Sequence, residues 1–202
     1  MLTLEEGTKA VQYARQIIQG YLRDAKPTTS DLGDSFRHKQ GVFVTLHTFP
    51  DHELRGCIGI PLPVMSLEEA LIESAKSVTR DPRFPPLEIS ELDAIVIETT
   101  VLTKPQRINV QQPRDYLKHI VIGKDGLLVE QGFYAGLFLP QVPIEQAWEP
   151  EEYLSQACMK AGLPADAWFD KTTKISTFQG QIFTEIEPHG PIKEIQLDGL
   201  HH

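Results

Sequence analysis

Apolar residues recur at helical spacing near the start of the chain, with Val11, Ala14, Ile17, Ile18, Tyr21 and Leu22 on one stripe. Thr3 with Glu6 three residues on reads as a capping box, and Pro27 blocks continuation, so a helix is predicted from about Leu4 to about Asp24. The polar passage Pro27 to Gln40 reads as a loop. The period then changes to two: Val42, Val44 and Leu46 face one way and Phe43, Thr45 and His47 the other, a strand ending at Thr48. Phe49-Pro50-Asp51 is turn-like and predicts a hairpin into a second strand carrying Arg55 and Cys57, which Pro61 and Pro63 close. Ser66 with Glu69 starts another helix, whose stripe Leu67, Ala70, Leu71, Ser74, Ala75 and Val78 suits packing on a sheet and which ends near Thr79 or Arg80.

Ala94 to Leu102 is β-branched and reads as a central strand. Farther on, the run beginning at His119 and the run from Leu127 to Gly132 flank Lys124-Asp125-Gly126 and predict a hairpin, with Phe133 to Pro140 as a further strand. Pro150 at a first helical position opens a helix with Leu154, Ala157, Cys158 and Ala161 on one face and Gly162 as its stop. Ile175 to Glu187 alternates as one strand. Strand and helix runs do not strictly interleave, which favours an α+β fold with an antiparallel or mixed sheet flanked by helices over a doubly wound parallel one.

The chain has 202 residues, enough for one large domain or two small lobes. Its net charge of −9 repels polyphosphates at long range, so a nucleic-acid partner is disfavoured unless a local basic patch forms. No run approaches the roughly 20 apolar residues of a membrane span, and the acidic start MLTLEEGTKA is unlike a secretory signal, which predicts a cytoplasmic protein. In that reducing setting Cys57 and Cys158 are expected as free thiols, with Cys158 structural on its apolar helix stripe. His201 and His202 carry no weight in this reading.

The chemistry concentrates in Asp51 to Ile60, DHELRGCIGI. On an extended segment Arg55, Cys57 and Gly59 share a face, with Arg55 and Cys57 roughly 6 to 7 Å apart. A cation at that distance favours the thiolate, the reactive form of cysteine. Glycines within a strand mark a bulge or a surface where something approaches the backbone. His47 is the nearest base by sequence, although strand register decides whether it faces Cys57. Arg80, Asp81 and Arg83 form a polar cluster at a helix end, either an anion clamp or a salt-bridge network walling the Cys57 site. Glu130 could place a carboxylate in a cleft. His38, His47, His52 and Cys57 match no zinc spacing, and Gly123 to Gly126 lacks the phosphate-loop order, so no metal and no cofactor is expected.

The ordered series LRGCIG, SLEEALIESAKSVTRDPRFPPL, IGKDGLLVEQGFYAGLFLPQVP, CMKAGLPADAW and FQGQIF resembles the AMMECR domain family over roughly residues 5 to 190. The resemblance implies a single domain over 1–202 made of two subdomains interleaved in sequence, a larger and a smaller lobe, with the motif near the groove between them. The family's motif falls on Leu54, Arg55, Gly56, Cys57, Ile58 and Gly59, and its Arg-Asp-Pro-Arg-Phe stretch on Arg80 to Phe84. Microbial members are associated with Memo-type proteins and radical-SAM enzymes, which implies a shared modification pathway. Three functions stay open: a cleft around the motif that binds a small anionic ligand or a protein partner, a thiol-dependent enzyme using Cys57 activated by Arg55, and an RNA-linked regulatory factor.

Overall fold

A computed structural model describes residues 1–25 and 31–195, so part of the Pro27 to Gln40 loop and the terminal histidines lie outside the described residues. In chain order the regular elements are α1 (Leu4–Leu22), β1 (Gly41–Thr48), β2 (Leu54–Ile60), α2 (Leu67–Val78), β3 (Ile95–Leu102), β4 (Gln106–Arg107), β5 (Gly126–Gln131), β6 (Tyr134–Phe138), α3 (Val142–Glu145), α4 (Pro150–Lys160), β7 (Lys174–Phe178), β8 (Gly180–Glu185) and β9 (Ile192–Ile195). Both expected capping boxes form: Thr3 and Ser66 accept from the backbone of Glu6 and Glu69, whose carboxylates accept in return.

The architecture is α+β, with antiparallel sheets flanked by helices. It divides into two compact units, Met1–Leu102 with Gln181–Ile195, and Thr103–Gly180. In the first, a five-stranded sheet in the order β2-β1-β3-β8-β9 has α1 and α2 on one face. Alternation explains the choice of face. Val42, Val44 and Leu46 of β1 and Ile95, Ile97 and Val101 of β3 join Ala10, Val11, Ala14, Ile18, Leu67, Leu71 and Val78 of the helices in one core. Arg15 is buried in that interface, donating to Glu185 and to the carbonyls of Leu92 and Ile95 at 3.1 and 2.8 Å, while Glu185 also accepts from Ile97 N at 2.8 Å.

In the second unit a four-stranded sheet in the order β4-β7-β5-β6 packs against α4, around Leu127, Val129, Tyr153, Leu154, Ala157, Cys158 and Trp168. Two sequence expectations change here. The stretch from His119 to Gly123 forms no strand, because Val121 N donates to Asp125 Oδ2 and Val121 O accepts from the amides of Lys124 and Asp125, closing a turn. The hairpin is β5 with β6 instead, turning at Gly132 in the left-handed region. The alternating run from Ile175 to Glu187 is two strands of different sheets. Gln179 pairs with Thr103, its N–H donating to Thr103 Oγ1 and its carbonyl accepting from Thr103 N, both at 2.8 Å, which ends the β7 ladder before β8 begins.

Candidate functional site

β2 is an edge strand, so its outer N–H and C=O groups need partners beyond the sheet. The loop after α2 supplies them. Cys57 N donates to Asp81 Oδ2 at 2.9 Å, and the Cys57 carbonyl accepts from Arg83 Nη2 at 3.1 Å. Asp81 is buried and also accepts from Arg83 N, Nε and Nη2 at 3.1, 3.0 and 2.7 Å. The Arg83 guanidinium holds the Asp81 carboxyl well below the usual carboxylate range, aided by the Cys57 amide. Arg80 belongs to neither bond and lies over the Tyr21 ring.

Arg55 is committed as well. Leu54 pairs with His47 and Gly56 with Leu46, leaving Arg55 as the extra residue of a bulge. Its Nε and Nη2 donate to the two carboxylate oxygens of Glu91 at 2.7 and 3.0 Å, a bidentate pair that lowers the Glu91 pKa. The cation that acts on the Cys57 thiol is Arg83 and not, as expected, Arg55. Burial pushes the Cys57 thiol up; against this act Thr45 Oγ1, which donates to Sγ at 3.3 Å, and the Arg83 charge. The two glycines admit neighbours from the same chain. A Cβ on Gly56 would lie 3.2 Å from Val78, and one on Gly59 would overlap the Phe43 ring.

The register settles what the sequence left open. Thr45 pairs with both Cys57 and Glu98, so Cys57, Thr45 and Glu98 form a row across β2, β1 and β3 on the face opposite the helices, and His47 shares that face. There a cleft of about 410 Å³ is lined by His47, His52, Glu98, Thr184 and Lys193, among others. Lys193 of β9 pairs with Thr184 of β8, which brings it to the same face. His52 adopts a left-handed φ of 55°, with its N–H on Thr48 O at 2.8 Å. Burial lowers the His47 pKa. Glu98 has no hydrogen bond or ion pair among the described residues, and burial pushes its carboxyl up to about 7. A carboxyl of this kind in a cleft marks a site where a proton can be held or released near neutrality.

Sequence reasoning missed Glu98, Glu91, Thr45 and Lys193. The available signal for Glu98 was its place as the lone charge in the β-branched run from Ala94 to Leu102. Of the expected site residues, the structure gathers Arg55, Cys57, Asp81, Arg83 and His47 around β2. Leu54 is exposed and Ile58 packs on the helix-facing core. Glu130 lies on β5 of the second unit, opposite Ala135 and Lys174. Among the described residues no group of three or more His, Cys, Asp or Glu is placed to hold a metal ion, and no helix is long and apolar enough to cross a membrane.

A family model described as AMMECR1 matches residues 11–183. Protein MJ0810 of Methanocaldococcus jannaschii is 54% identical over 198 residues, covering 98% of each chain. Protein MK0488 of Methanopyrus kandleri is 48% identical, covering 97% of this chain and 96% of its own. The crystal structure of the uncharacterized protein PH0010 from Pyrococcus horikoshii superposes with a TM-score of 0.84 at 45% identity, covering 95% of this chain and 97% of that one.

Proposed function

This chain belongs to the AMMECR1 family, and from that premise we propose that it acts as a binding module whose cleft over β1, β3, β8 and β9, inward of the Leu54 to Gly59 edge strand, takes a small anion. The observation that carries this reading is the convergence of Lys193, His47 and His52 on one cleft in which, among the described residues, Glu98 is the side-chain carboxylate free of other bonds, its pKa raised by burial. Glu185 also borders the cleft, but its carboxylate is spent on Arg15 and on Ile97 N. The motif arginines are spent in the same way, Arg55 on Glu91 and Arg83 on Asp81. They brace the strand, and anion recognition falls to the cleft.

A thiolate enzyme has less support, because burial raises the Cys57 pKa and its only nearby cation is neutralised by Asp81. An RNA-linked role has less support from a chain of net charge −9. Memo-type and radical-SAM proteins, the partners implied by the family resemblance, are the first to test by co-purification.

Titration with sodium sulfate, followed through the imidazole resonances of His47 and His52, tests the reading. Saturable shifts of both rings are expected, with Lys193→Ala weakening binding about tenfold. Shifts that are absent, or unchanged in Lys193→Ala, refute it.

A further inference from the structure

We propose that Glu98 is the proton-holding residue of this cleft, so that an oxyanion binds only together with a proton on the Glu98 carboxyl. The inference rests on the anion-binding reading above and adds to it the group that makes binding sensitive to pH. Glu98 occupies the middle of the sheet face, opposite Thr45 and two strands from Cys57, and lines the cleft shared with Lys193 and the two histidines. A carboxylate there would repel an anion held by Lys193 across a cleft of this size, whereas a carboxylic acid donates a hydrogen bond to it. Glu98 makes no hydrogen bond among the described residues: the one Thr45 hydroxyl proton goes to Cys57 Sγ, and Glu185 turns to Arg15 and Ile97 N.

The charged and titratable groups facing Glu98 are few. From β1 comes His47, from the turn after it His52, from β2 the Cys57 thiol, from β9 Lys193, and from β8 Glu185, whose carboxylate is bound to Arg15 and Ile97 N. Asp81 and Arg83 act on Cys57 at the strand edge and neutralise one another. Burial lowers the His47 pKa, which keeps that ring neutral over most of the range in which Glu98 exchanges its proton. His52 lines the same cleft, so its variant is the control that isolates Glu98.

Sulfate serves as the probe because its own charge does not change near neutrality. With a Glu98 carboxyl that titrates at about 7, the affinity of the wild-type protein should fall about tenfold from pH 6 to pH 8. Calorimetry in two buffers of different ionisation enthalpy should show uptake of about half a proton per sulfate at pH 7. Glu98→Gln keeps the shape and a hydrogen-bond donor, so it should bind sulfate with the pH dependence largely removed, and His52→Asn should leave most of that dependence in place. Binding in the cleft with an unchanged pH profile in Glu98→Gln, or without proton uptake in the wild type, overturns the role of Glu98 alone. Absence of sulfate binding in the wild type and in Glu98→Gln overturns the anion-binding reading along with it. The calorimetric uptake is read on the wild-type protein and stands as a test even should Glu98→Gln fail to fold.

Discussion

Replacing Asp81 with alanine strands four donors at once: the Cys57 amide, the Arg83 amide and two guanidinium nitrogens of Arg83. The Arg83 side chain is 55% exposed, so water can take over most of its bonds and that pair contributes little. The Asp81 side chain is only 1% exposed, and its bond from the Cys57 amide is a charge-assisted bond in a sheltered place, of about 1.5–3 kcal/mol. Adding the loosened turn at Arg83, Asp81→Ala should destabilise the protein by about 3 kcal/mol, and Asp81→Asn, which keeps one acceptor oxygen, by about 1–2 kcal/mol. Urea unfolding reads these losses, and amide exchange at Cys57 localises them, because the amide loses its only side-chain acceptor. The pH dependence has a definite sign. The folded-state pKa of Asp81 is depressed, so its stabilisation is present above the unfolded carboxyl value of about 4 and is lost as pH falls through the lower folded value. The gap between wild type and Asp81→Asn should therefore be constant between about pH 5 and pH 7 and close only in strong acid. A loss below about 0.5 kcal/mol for Asp81→Ala, or unaltered exchange at Cys57, would refute the assignment of Asp81 as the clip on the β2 edge.

Two further outcomes follow from the same geometry. Burial raises the pKa of both thiols, that of Cys158 to about 11, so alkylation of the native protein should be slow at neutral pH. Cys57, half-buried where Cys158 is fully buried, should react first but with a midpoint above the ordinary thiol value of about 8.5; a midpoint below it would restore the thiolate reading. Arg15→Ala leaves the Glu185 carboxylate buried without its cation, and a loss of about 3–5 kcal/mol is expected in thermal or urea unfolding, against which a loss under about 1 kcal/mol would count decisively.

What could be read from the chain was what depends on neighbours in sequence. Thr3 with Glu6 and Ser66 with Glu69 form their capping boxes because the partners lie one helical turn apart. The two-residue period of β1 sorted Val42, Val44 and Leu46 onto one face, and that face joins the helices. What failed depended on residues far away. The break between β7 and β8 needs Thr103 beside Gln179, 76 positions distant, and alternation runs straight through it. The strand expected after His119 gave way to a side chain, Asp125, that captured the Val121 amide. The Arg55 reading failed in the same way: that a half-buried guanidinium needs a partner was legible, but that the partner is Glu91, 36 positions on, was not.

The Arg55–Glu91 pair is why the proposed site lies off the motif. A motif holding an arginine, a thiol and two glycines looks like chemistry because those residue types are the ones that reactions use. In the folded chain each has a partner within the structure: Arg55 pairs with Glu91, the Cys57 thiol accepts from Thr45 and its backbone is bound to Asp81 and Arg83, Gly56 admits the approach of α2, and Gly59 the Phe43 ring. A charge neutralised by a bidentate carboxylate has little left for a ligand, since capturing it would require exchanging one anion for another at nearly equal cost. Among the described residues that line the cleft, Glu98 and Lys193 carry no hydrogen bond or ion pair, lie one or more strands inward, and sit in ordinary sequence surroundings. The motif then acts by holding β2, and with it Thr45 and Glu98 through two consecutive antiparallel pairings, in the register that opens the cleft.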